Sequence, residues 1–483
     1  MADGSGAPEV VIANSNPVFG IEVRGFEHIP EAERNMTLAQ VGPFWLATNL
    51  NVFSIVLGCV AITFGLSLWW ALAACVVGNL PYAYLALGCI GTARAGLPVT
   101  TLSRAVFGIR GNFFNAFAGW IASLAYEVIS TVFGAYALLA LFRLIGWQSS
   151  DTTGKLLAVC IQLVFAGGVA MLGHATMVLL QRISAVVLGA VLLVVFVYTS
   201  SQVDWAAAGL PHSRLAPQTM TAVFMTACGV MASQSIGYLF NGPDWVRYLP
   251  AATPARQIFS RVFWWTFLPS VFLTAMGAMW ASLGDMSDPV SGLKPFIPWW
   301  LFVAYIFAVF GGALAANVPV FYSSGLTLQS LGLNVHRWVA TALDVLISTS
   351  ITIFILFVSD FTTALNDFVA LLLVWVGPYG AIWMCDGYQR GWVYEAGSVH
   401  RETGHVPLMG RDRRIPGWIA LFAGMLVGML TMRSPLFDGP IATLLGGMDL
   451  NWLLGFVVAG GTYCALILGP SLRAKAVRAI PES

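Results

Sequence analysis

The sequence predicts an all-α integral membrane protein with twelve transmembrane helices. Hydrophobic residues make up 58% of its 483 residues and charged residues only 9%, against roughly 25% charged residues in soluble domains. Windows of about 19 residues find twelve apolar segments separated by short polar ones. Basic residues concentrate in alternate loops between these segments. The length of the chain therefore indicates a number of membrane spans rather than a number of soluble domains.

The predicted spans are 40–65, 68–91, 113–143, 156–173, 177–199, 219–241, 260–283, 298–328, 338–359, 366–385, 416–433 and 450–470. The third is long enough to predict strong tilt or projection beyond the bilayer. This gives six regions: a tail at 1–39, five-span halves at 40–200 and 219–385, a connector at 386–415, two further helices at 416–470, and a tail at 471–483.

The basic residues predict the orientation. If the first tail is cytoplasmic, most of the 23 Lys and Arg residues fall in the tails and the cytoplasmic loops. The positive-inside rule then predicts that both termini are cytoplasmic, in a cell membrane. The first forty residues contain no apolar signal region, so we expect the first span to direct its own insertion.

Several classes of function are not expected. The loops are too short for a soluble catalytic domain, and the sequence has no H-E-x-x-H, G-x-S-x-G or nucleotide loop. We therefore expect no enzyme, no cofactor, no metal and no nucleic-acid partner, although the net charge of +1 by itself says nothing about partners. The expected partners are the lipid bilayer, a small solute and a coupling cation, and we expect a monomer.

The sixth span is interrupted by small and polar residues between Gly229 and Gly242, followed by Pro243-Asp244. Backbone groups in lipid must be paired, so this stretch indicates an unwound segment that offers its backbone to a ligand. The alternative is a glycine-rich face for close helix packing. The first span is interrupted in the same way between Gly42 and Ser54. Two broken segments at matching positions predict a five-plus-five inverted-repeat transporter, with the last two helices outside the repeat.

Five motifs resemble those of the nucleobase-cation-symport-1 family: FGIEVRGFEHIPEAER (19–34), FWLATNLN (44–51), GLPVTTLSRAVFGIRGN (96–112), NGPDWVRYLP (241–250) and AANVPVFYSSGLTLQSLG (315–332). The family comprises permeases for purines, cytosine, hydantoins and allantoin, and the pattern is most similar to the purine-cytosine branch. The resemblance implies the same five-plus-five fold with two extra helices. It also implies a secondary active importer of a nucleobase or related heterocycle.

Permeases of this kind hold a flat heterocycle between two aromatic faces, and offset stacking contributes on the order of 1 kcal/mol beyond burial. The resemblance places one face at Tyr126 with a polar reader at Ser130, where the family often has Trp and an amide. It places the second face at Tyr238, with Gln234 and Ser235 one turn earlier. Two alternatives remain open: Tyr126 is an ordinary packing aromatic, or Ser235 occupies the stacking position.

Amides match the donors and acceptors on a base edge. Asn317 aligns with the family's base-reading Asn, the alternative being a bond between helices. In the first span we expect Asn49 to contact substrate, with Thr48 and Asn51 as further candidates. Trp120 is interpreted as a packing or interfacial residue.

Charged residues near the span ends have other predicted roles. Asp244 and Arg247 suggest a helix cap or a cytoplasmic gate pair. Asp344, His174 and His336 are predicted to be interfacial.

The coupling ion is predicted to be a proton. Sodium-coupled family members use first-span carbonyls and a Ser/Thr pair about five residues before the eighth-span Asn, where this chain has Gly311 and Gly312. Glu127 is the predicted coupling carboxyl, because an ionised acid at the bilayer centre costs roughly 3 kcal/mol or more; the alternative is a structural hydrogen bond. Other open functions are a sodium-coupled symporter of a hydantoin, allantoin or thiamine-like compound, and an uncoupled facilitator.

Overall fold

The computed structural model describes residues 12, 15–147, 151–206, 208–209, 219–286, 288–358, 361–401, 403–408, 410–434 and 437–478, and is all-helical. The α-helices of this part are α1 (Leu38–Asn49), α2 (Val52–Thr63), α3 (Leu68–Asn79), α4 (Tyr82–Ala95), α5 (Val99–Leu102), α6 (Arg104–Leu144), α7 (Asp151–Leu172), α8 (His174–Ser200), α9 (Met220–Gly237), α10 (Ala255–Leu283), α11 (Trp299–Ser330), α12 (Arg337–Val358), α13 (Phe361–Gln389), α14 (Arg414–Thr431), α15 (Pro440–Leu444) and α16 (Asn451–Arg478).

Nine helices of the described residues are long and apolar enough to cross a membrane, or ten if the bent pair α1 and α2 is one span. The predicted tenth span falls in α13, whose side chains at 361–370 lie outside the described residues. The predicted twelfth falls in α16, where Asn451–Ile467 is a shorter apolar helix. The multi-pass, all-helical class is thus confirmed, while the number twelve and the repeat symmetry stay predictions.

The first span is broken where the sequence indicates. The axes of α1 and α2 differ by 55°, and the two residues between the helices are Leu50 and Asn51. The Asn51 side chain caps α2, because its Oδ1 accepts the N–H of Ser54 at 3.2 Å. Its Nδ2 donates to the carbonyl of Thr48 at 2.8 Å, which satisfies an orphan acceptor at the end of α1.

The sixth span breaks later than predicted. Gly229 and the residues 233–235 are α-helical, and α9 continues to Gly237 before two 3-10 helices at Tyr238–Phe240 and Gly242–Val246. Pro243, which has no N–H, lies in the second of them. A Cβ at Gly229 would lie 2.7 Å from Trp452 Cδ1, so this glycine permits close helix packing. The packing interpretation therefore applies to the first part of the stretch and unwinding to the last part.

The third span is longer than predicted and begins with a kink. Gly108 interrupts α6 with φ 71° and ψ 169°, a conformation that favours glycine. The N–H of Ile109, which follows the kink, donates to the carbonyl of Thr403 at 2.6 Å. The remaining helix packs along α11.

The N-terminal segment 15–37 packs against one end of the bundle, which we call the tail end. Glu22 is fully buried there and receives hydrogen bonds from Arg247, Tyr248 and Tyr322. This segment, expected from sequence to be a polar tail, is therefore part of the folded structure.

Candidate substrate site between the broken segments

The two broken segments meet inside the bundle. Trp45 of α1 and Tyr238 at the end of α9 lie 6.0 Å apart between ring centroids, with the rings nearly perpendicular. A Cβ at Gly242 would lie 2.8 Å from the Trp45 ring, so the absence of a side chain there permits the contact. The two segments therefore form one wall of a common site.

The two predicted aromatic faces lie opposite one another. The rings of Tyr126 and Tyr238 are near-parallel, at 17°, with centroids 6.3 Å apart. Tyr126 also donates its hydroxyl to the carbonyl of Ser233 at 2.9 Å. Its ring lies directly over Gly237, where a Cβ would be 2.3 Å from the Tyr126 hydroxyl. Phe53 packs edge-on against Tyr126 at 5.9 Å and extends the aromatic wall to α2.

The site is closed in this structure. The gap beside it has a volume of about 10 Å³, barely enough to hold one water molecule. Contact with a flat ring on both faces requires planes roughly 7 Å apart, and the centroids of the two tyrosine rings are only 6.3 Å apart. Two of the predicted residues line the gap, Ser130 and the further candidate Asn51. The other lining residues are Val52, Phe53, Phe133, Val309 and Ala313. A flat solute could occupy the space between these two rings only if they moved apart.

The polar residues predicted in the first span are engaged within the protein. Asn49 Oδ1 accepts the hydroxyls of Tyr82 at 2.6 Å and Ser270 at 2.9 Å, and its Nδ2 donates to the carbonyl of Trp45. The hydroxyl of Thr48 donates to the carbonyl of Phe44 at 3.0 Å. Both side chains thus stabilise the end of α1 in this closed form.

The polar residues of α9 are also hydrogen-bonded. Gln234 Oε1 accepts the hydroxyl of Ser54 at 3.0 Å, which links the two broken segments directly. Ser235 donates to the carbonyl of Ala232 at 2.9 Å and is fully buried. Tyr238, rather than Ser235, lies opposite Tyr126 in this structure.

Asn317 joins α11 to α6 and keeps one unpaired group. Its Nδ2 donates to Thr131 Oγ1 at 2.8 Å and to the main-chain carbonyl of Glu127 at 3.2 Å. Its Oδ1 is buried and has no hydrogen-bond partner among the described residues. A buried acceptor without a donor is costly, so a ligand N–H at this position would be favourable.

Asp244 hydrogen-bonds to Val99 and Arg247 pairs with Glu22, so the two residues have different partners. Asp244 Oδ1 accepts the N–H of Val99 at 2.7 Å, and Arg247 pairs with Glu22 at 3.0 Å. Burial raises the pKa of Asp244 to about 7, although the Val99 N–H and the nearby Arg247 favour its ionised form. Each residue connects the stretch after α9 to a different neighbour, and a gate role for the two together stays a prediction.

Asp344 and His174, which were predicted to be interfacial, are both buried within the protein. Asp344 is fully buried and accepts the indole N–H of Trp120 at 2.7 Å. His174 is buried, and its ring Nε2 lies 2.9 Å from the carbonyl of Trp245. Its main-chain N–H donates to Glu22 at 2.9 Å. Distance along a span does not say whether a side chain faces lipid or protein. The signal for Asp344 was present, because it is an acid within an apolar helix like Glu127.

A protein-family comparison agrees with this architecture. Residues 28–455 match the family described as permease for cytosine/purines, uracil, thiamine, allantoin. A protein of Bacillus subtilis (strain 168) that is named as a purine-cytosine permease is 26% identical over 94% of this chain and 98% of its own length. A purine-cytosine permease of Emericella nidulans is 25% identical over 93% and 88%. A vitamin B6 transporter of Saccharomyces cerevisiae is 24% identical over 55% and 45%.

The fold is similar to that of solved transporters. Mhp1, a nucleobase-cation-symport-1 family transporter, in a closed conformation with bromovinylhydantoin bound, covers 97% of both chains at 17% identity with a TM-score of 0.71. Its inward-facing conformation gives 0.65 over 95% of this chain and 96% of that one. A Na⁺-coupled sialic acid symporter gives 0.60 at 14% identity over 91% of both chains. With the family match covering most of its length, this chain belongs to the family of permeases for cytosine and purines, uracil, thiamine and allantoin.

Proposed function

We propose that this permease is a secondary active importer of a nucleobase or related nitrogen heterocycle, working by proton symport with alternating access. The observation that carries the proposal is the parallel pair Tyr126 and Tyr238, which meets where both broken segments end. Two near-parallel aromatic faces that can separate to admit a ring between them are suited to a flat, stackable solute. The names of the relatives from Bacillus subtilis and Emericella nidulans support the purine-cytosine class.

The edge of the substrate would be recognised mainly by Asn317. Its unpaired Oδ1 can accept from a ring N–H or an exocyclic amino group. Ser130 lines the gap beside the aromatic pair and offers a hydroxyl. Asn49, Thr48 and Ser235 would act by holding the broken segments rather than by contacting substrate.

The contact between α11 and the first break supports proton coupling. A Cβ at Gly312 would lie 2.4 Å from the carbonyl oxygen of Leu50, so the two backbones touch where a sodium ion would need hydroxyl ligands. Sodium prefers several hard oxygen ligands, and glycine supplies no side chain. Glu127 is fully buried in α6 and is the proposed carrier of the coupling charge.

The substrate class can be tested with variants of the aromatic pair. Tyr126→Ala should weaken binding of a radiolabelled base about 5- to 150-fold, since stacking on one face contributes roughly 1–3 kcal/mol. Tyr126→Phe keeps the face and should lose much less. Tyr84→Ala is a matched control, because Tyr84 stacks on Phe456 away from the site. Equal affinity in Tyr126→Ala and wild type would exclude the sandwich.

The solute and the coupling ion need separate measurements. Competition of cytosine, adenine, hypoxanthine, uracil, allantoin and thiamine against labelled uptake, in cells without their own permeases, identifies the solute. Proteoliposomes with an imposed pH gradient should accumulate it, and a protonophore should abolish accumulation. Accumulation driven only by a sodium gradient would favour the sodium-coupled alternative. Uptake that only equilibrates, under either gradient, would indicate a facilitator.

The proposed orientation in the cell membrane has both termini cytoplasmic, supported by the distribution of basic residues. A protease added to sealed right-side-out vesicles should then cleave the N-terminal tail only after permeabilisation. Cleavage of the tail in sealed vesicles would show that the N-terminus lies outside, opposite to the proposed orientation.

A further inference from the structure

Two buried carboxyl groups face each other where α6, α11 and α12 pack together. Glu127 of α6 and Asp344 of α12 are both fully buried. Asp344 accepts from Trp120, which lies two turns before Glu127 on the same face of α6, so the two carboxyls are close enough to interact. They come from parts of the chain more than two hundred residues apart, so only the packing of the helices brings them together. We call them the carboxyl pair.

Each carboxyl of the pair has one oxygen supplied with a donor. Glu127 Oε1 accepts the hydroxyl of Ser324 at 2.6 Å, and Asp344 Oδ1 accepts the indole N–H of Trp120 at 2.7 Å. The second oxygens, Glu127 Oε2 and Asp344 Oδ2, are buried and have no donor among the described residues. A hydrogen bond between two carboxylates requires a proton, because an ionised carboxylate only accepts.

No cation among the described residues neutralises the pair. In the described part of the chain, neither carboxyl has a Lys, Arg or His nitrogen within 4.0 Å. Arg337, two turns earlier on α12, is directed to Glu22 and to carbonyls at the end of α7. From α11, the uncharged Ser324 faces the pair. Two like charges in contact cannot both persist in such a site.

We propose that Glu127 and Asp344 form the proton site of this permease, keeping one proton between them and binding a second that travels with the substrate. The inference rests on the proposed symport and names the residues that carry it out. On loading, a proton from water forms an O–H bond with the singly protonated pair and makes it neutral. On release the same bond breaks and the proton returns to water, so no other reactant is needed.

The carboxyl pair is connected to the substrate site through α6. Glu127 directly follows Tyr126, whose ring faces Tyr238. Asn317 bonds the main-chain carbonyl of Glu127, and Ser324, which bonds its carboxyl, lies two turns further along α11. A shift of α6 against α11 as the aromatic pair opens would therefore change the donors around the carboxyl pair, which couples proton binding to substrate binding.

Infrared difference spectroscopy of the full-length protein in lipid nanodiscs tests the pair directly. The wild type should show a protonated-carboxyl band that changes with pH, and Glu127→Gln and Asp344→Asn should each abolish that same change. This result is independent of substrate and of transport. If each single variant keeps the other residue's pH-dependent signal unaltered, the carboxyls titrate independently and the proposal is overturned.

Transport completes the test. Both single variants should bind labelled cytosine or adenine, whichever the wild type takes, within about threefold of wild type, but lose accumulation driven by a pH gradient. Asp449→Asn, at a buried carboxyl outside this site, should keep it. Proton-driven accumulation that persists in either Glu127→Gln or Asp344→Asn would overturn the proposal. Failure of the wild type itself to accumulate under a pH gradient would instead overturn the proposed symport.

A milder variant separates an effect on the proton site from an effect on folding. Trp120→Phe keeps both carboxyls and removes only the donor to Asp344 Oδ1. It should retain accumulation and shift the pH profile of uptake upward by about one unit, since a hydrogen bond to a charged group contributes on the order of one such unit. An unshifted profile would show that Asp344 takes no part in proton release.

Discussion

The docking of the N-terminal segment depends on one buried ion-pair cluster. Glu22 Oε1 accepts from Arg247 at 3.0 Å and from the hydroxyl of Tyr248 at 2.7 Å. Glu22 Oε2 accepts the N–H of His174 at 2.9 Å and lies 3.7 Å from Arg337. These partner groups come from the start of α8, the stretch after α9 and the start of α12. A single carboxylate therefore holds together the tail end of the bundle.

Replacing Glu22 by Gln leaves two buried arginines without their counter-charge. Removing one partner of a buried ion pair costs about 3–5 kcal/mol. The opening of segment 15–37 should therefore become roughly 100- to 4,000-fold more frequent. Hydrogen exchange reports this opening, because the amide of Glu22 donates to Leu172 and that of Ile29 to Gly96.

The control is Glu31→Gln. Glu31 pairs with Arg34 at 3.5 Å, but its side chain is 59% exposed, and exposed pairs contribute at most about 1 kcal/mol. Exchange in this variant should stay within about fivefold of wild type. If Glu22→Gln exchanges no faster than Glu31→Gln, the cluster does not hold the segment in place.

The pH dependence of this docking follows from the same cluster. Burial acts to raise the pKa of Glu22, but Arg337 and Arg247 outweigh it, so the pKa lies below its ordinary value. A carboxyl with a lowered pKa contributes stability above the unfolded pKa, about 4.3, and loses it as the pH falls further. The segment should stay docked between pH 5 and neutrality, and its exchange should accelerate only in more acidic solution.

Three substitutions test the packing around the site. Gly237→Ala places a methyl group against Tyr126, so overpacking of about 1–3 kcal/mol should shift the protein toward the open form, measured as a longer spin-label distance between α6 and α9. Gly58→Ala points a methyl group at the backbone of α10 within 1.8 Å and should lower the melting temperature, whereas Gly168→Ala, with nothing within 4 Å, should not. Asn49→Ala leaves two buried hydroxyls without an acceptor, which costs about 1–3 kcal/mol each; it should lower the melting temperature but leave substrate affinity within about threefold. An affinity loss as large as that of Tyr126→Ala would instead show that Asn49 contacts the substrate.

Hydrophobicity and local backbone chemistry made much of this fold predictable from sequence. Apolar segments must enter the bilayer with their hydrogen bonds satisfied internally, which predicts an all-helical membrane protein without any knowledge of packing. The break in the first span is also a local property, since Asn51 can cap a new helix wherever α2 points. The small, polar stretch of the sixth span predicted a break as well, but its position depended on whether Gly229 faced a neighbouring helix.

Partnerships between side chains were decided only by the tertiary structure. The sequence of this chain determined that Tyr126, Asn49, Glu127 and Asp344 would lie within apolar helices, where each polar group needs a partner. It did not determine that Asn49 is saturated by hydroxyls from α4 and α10, or that the two acids meet. The reason is physical: the direction of a side chain around its helix acquires meaning only once a second helix lies against that face.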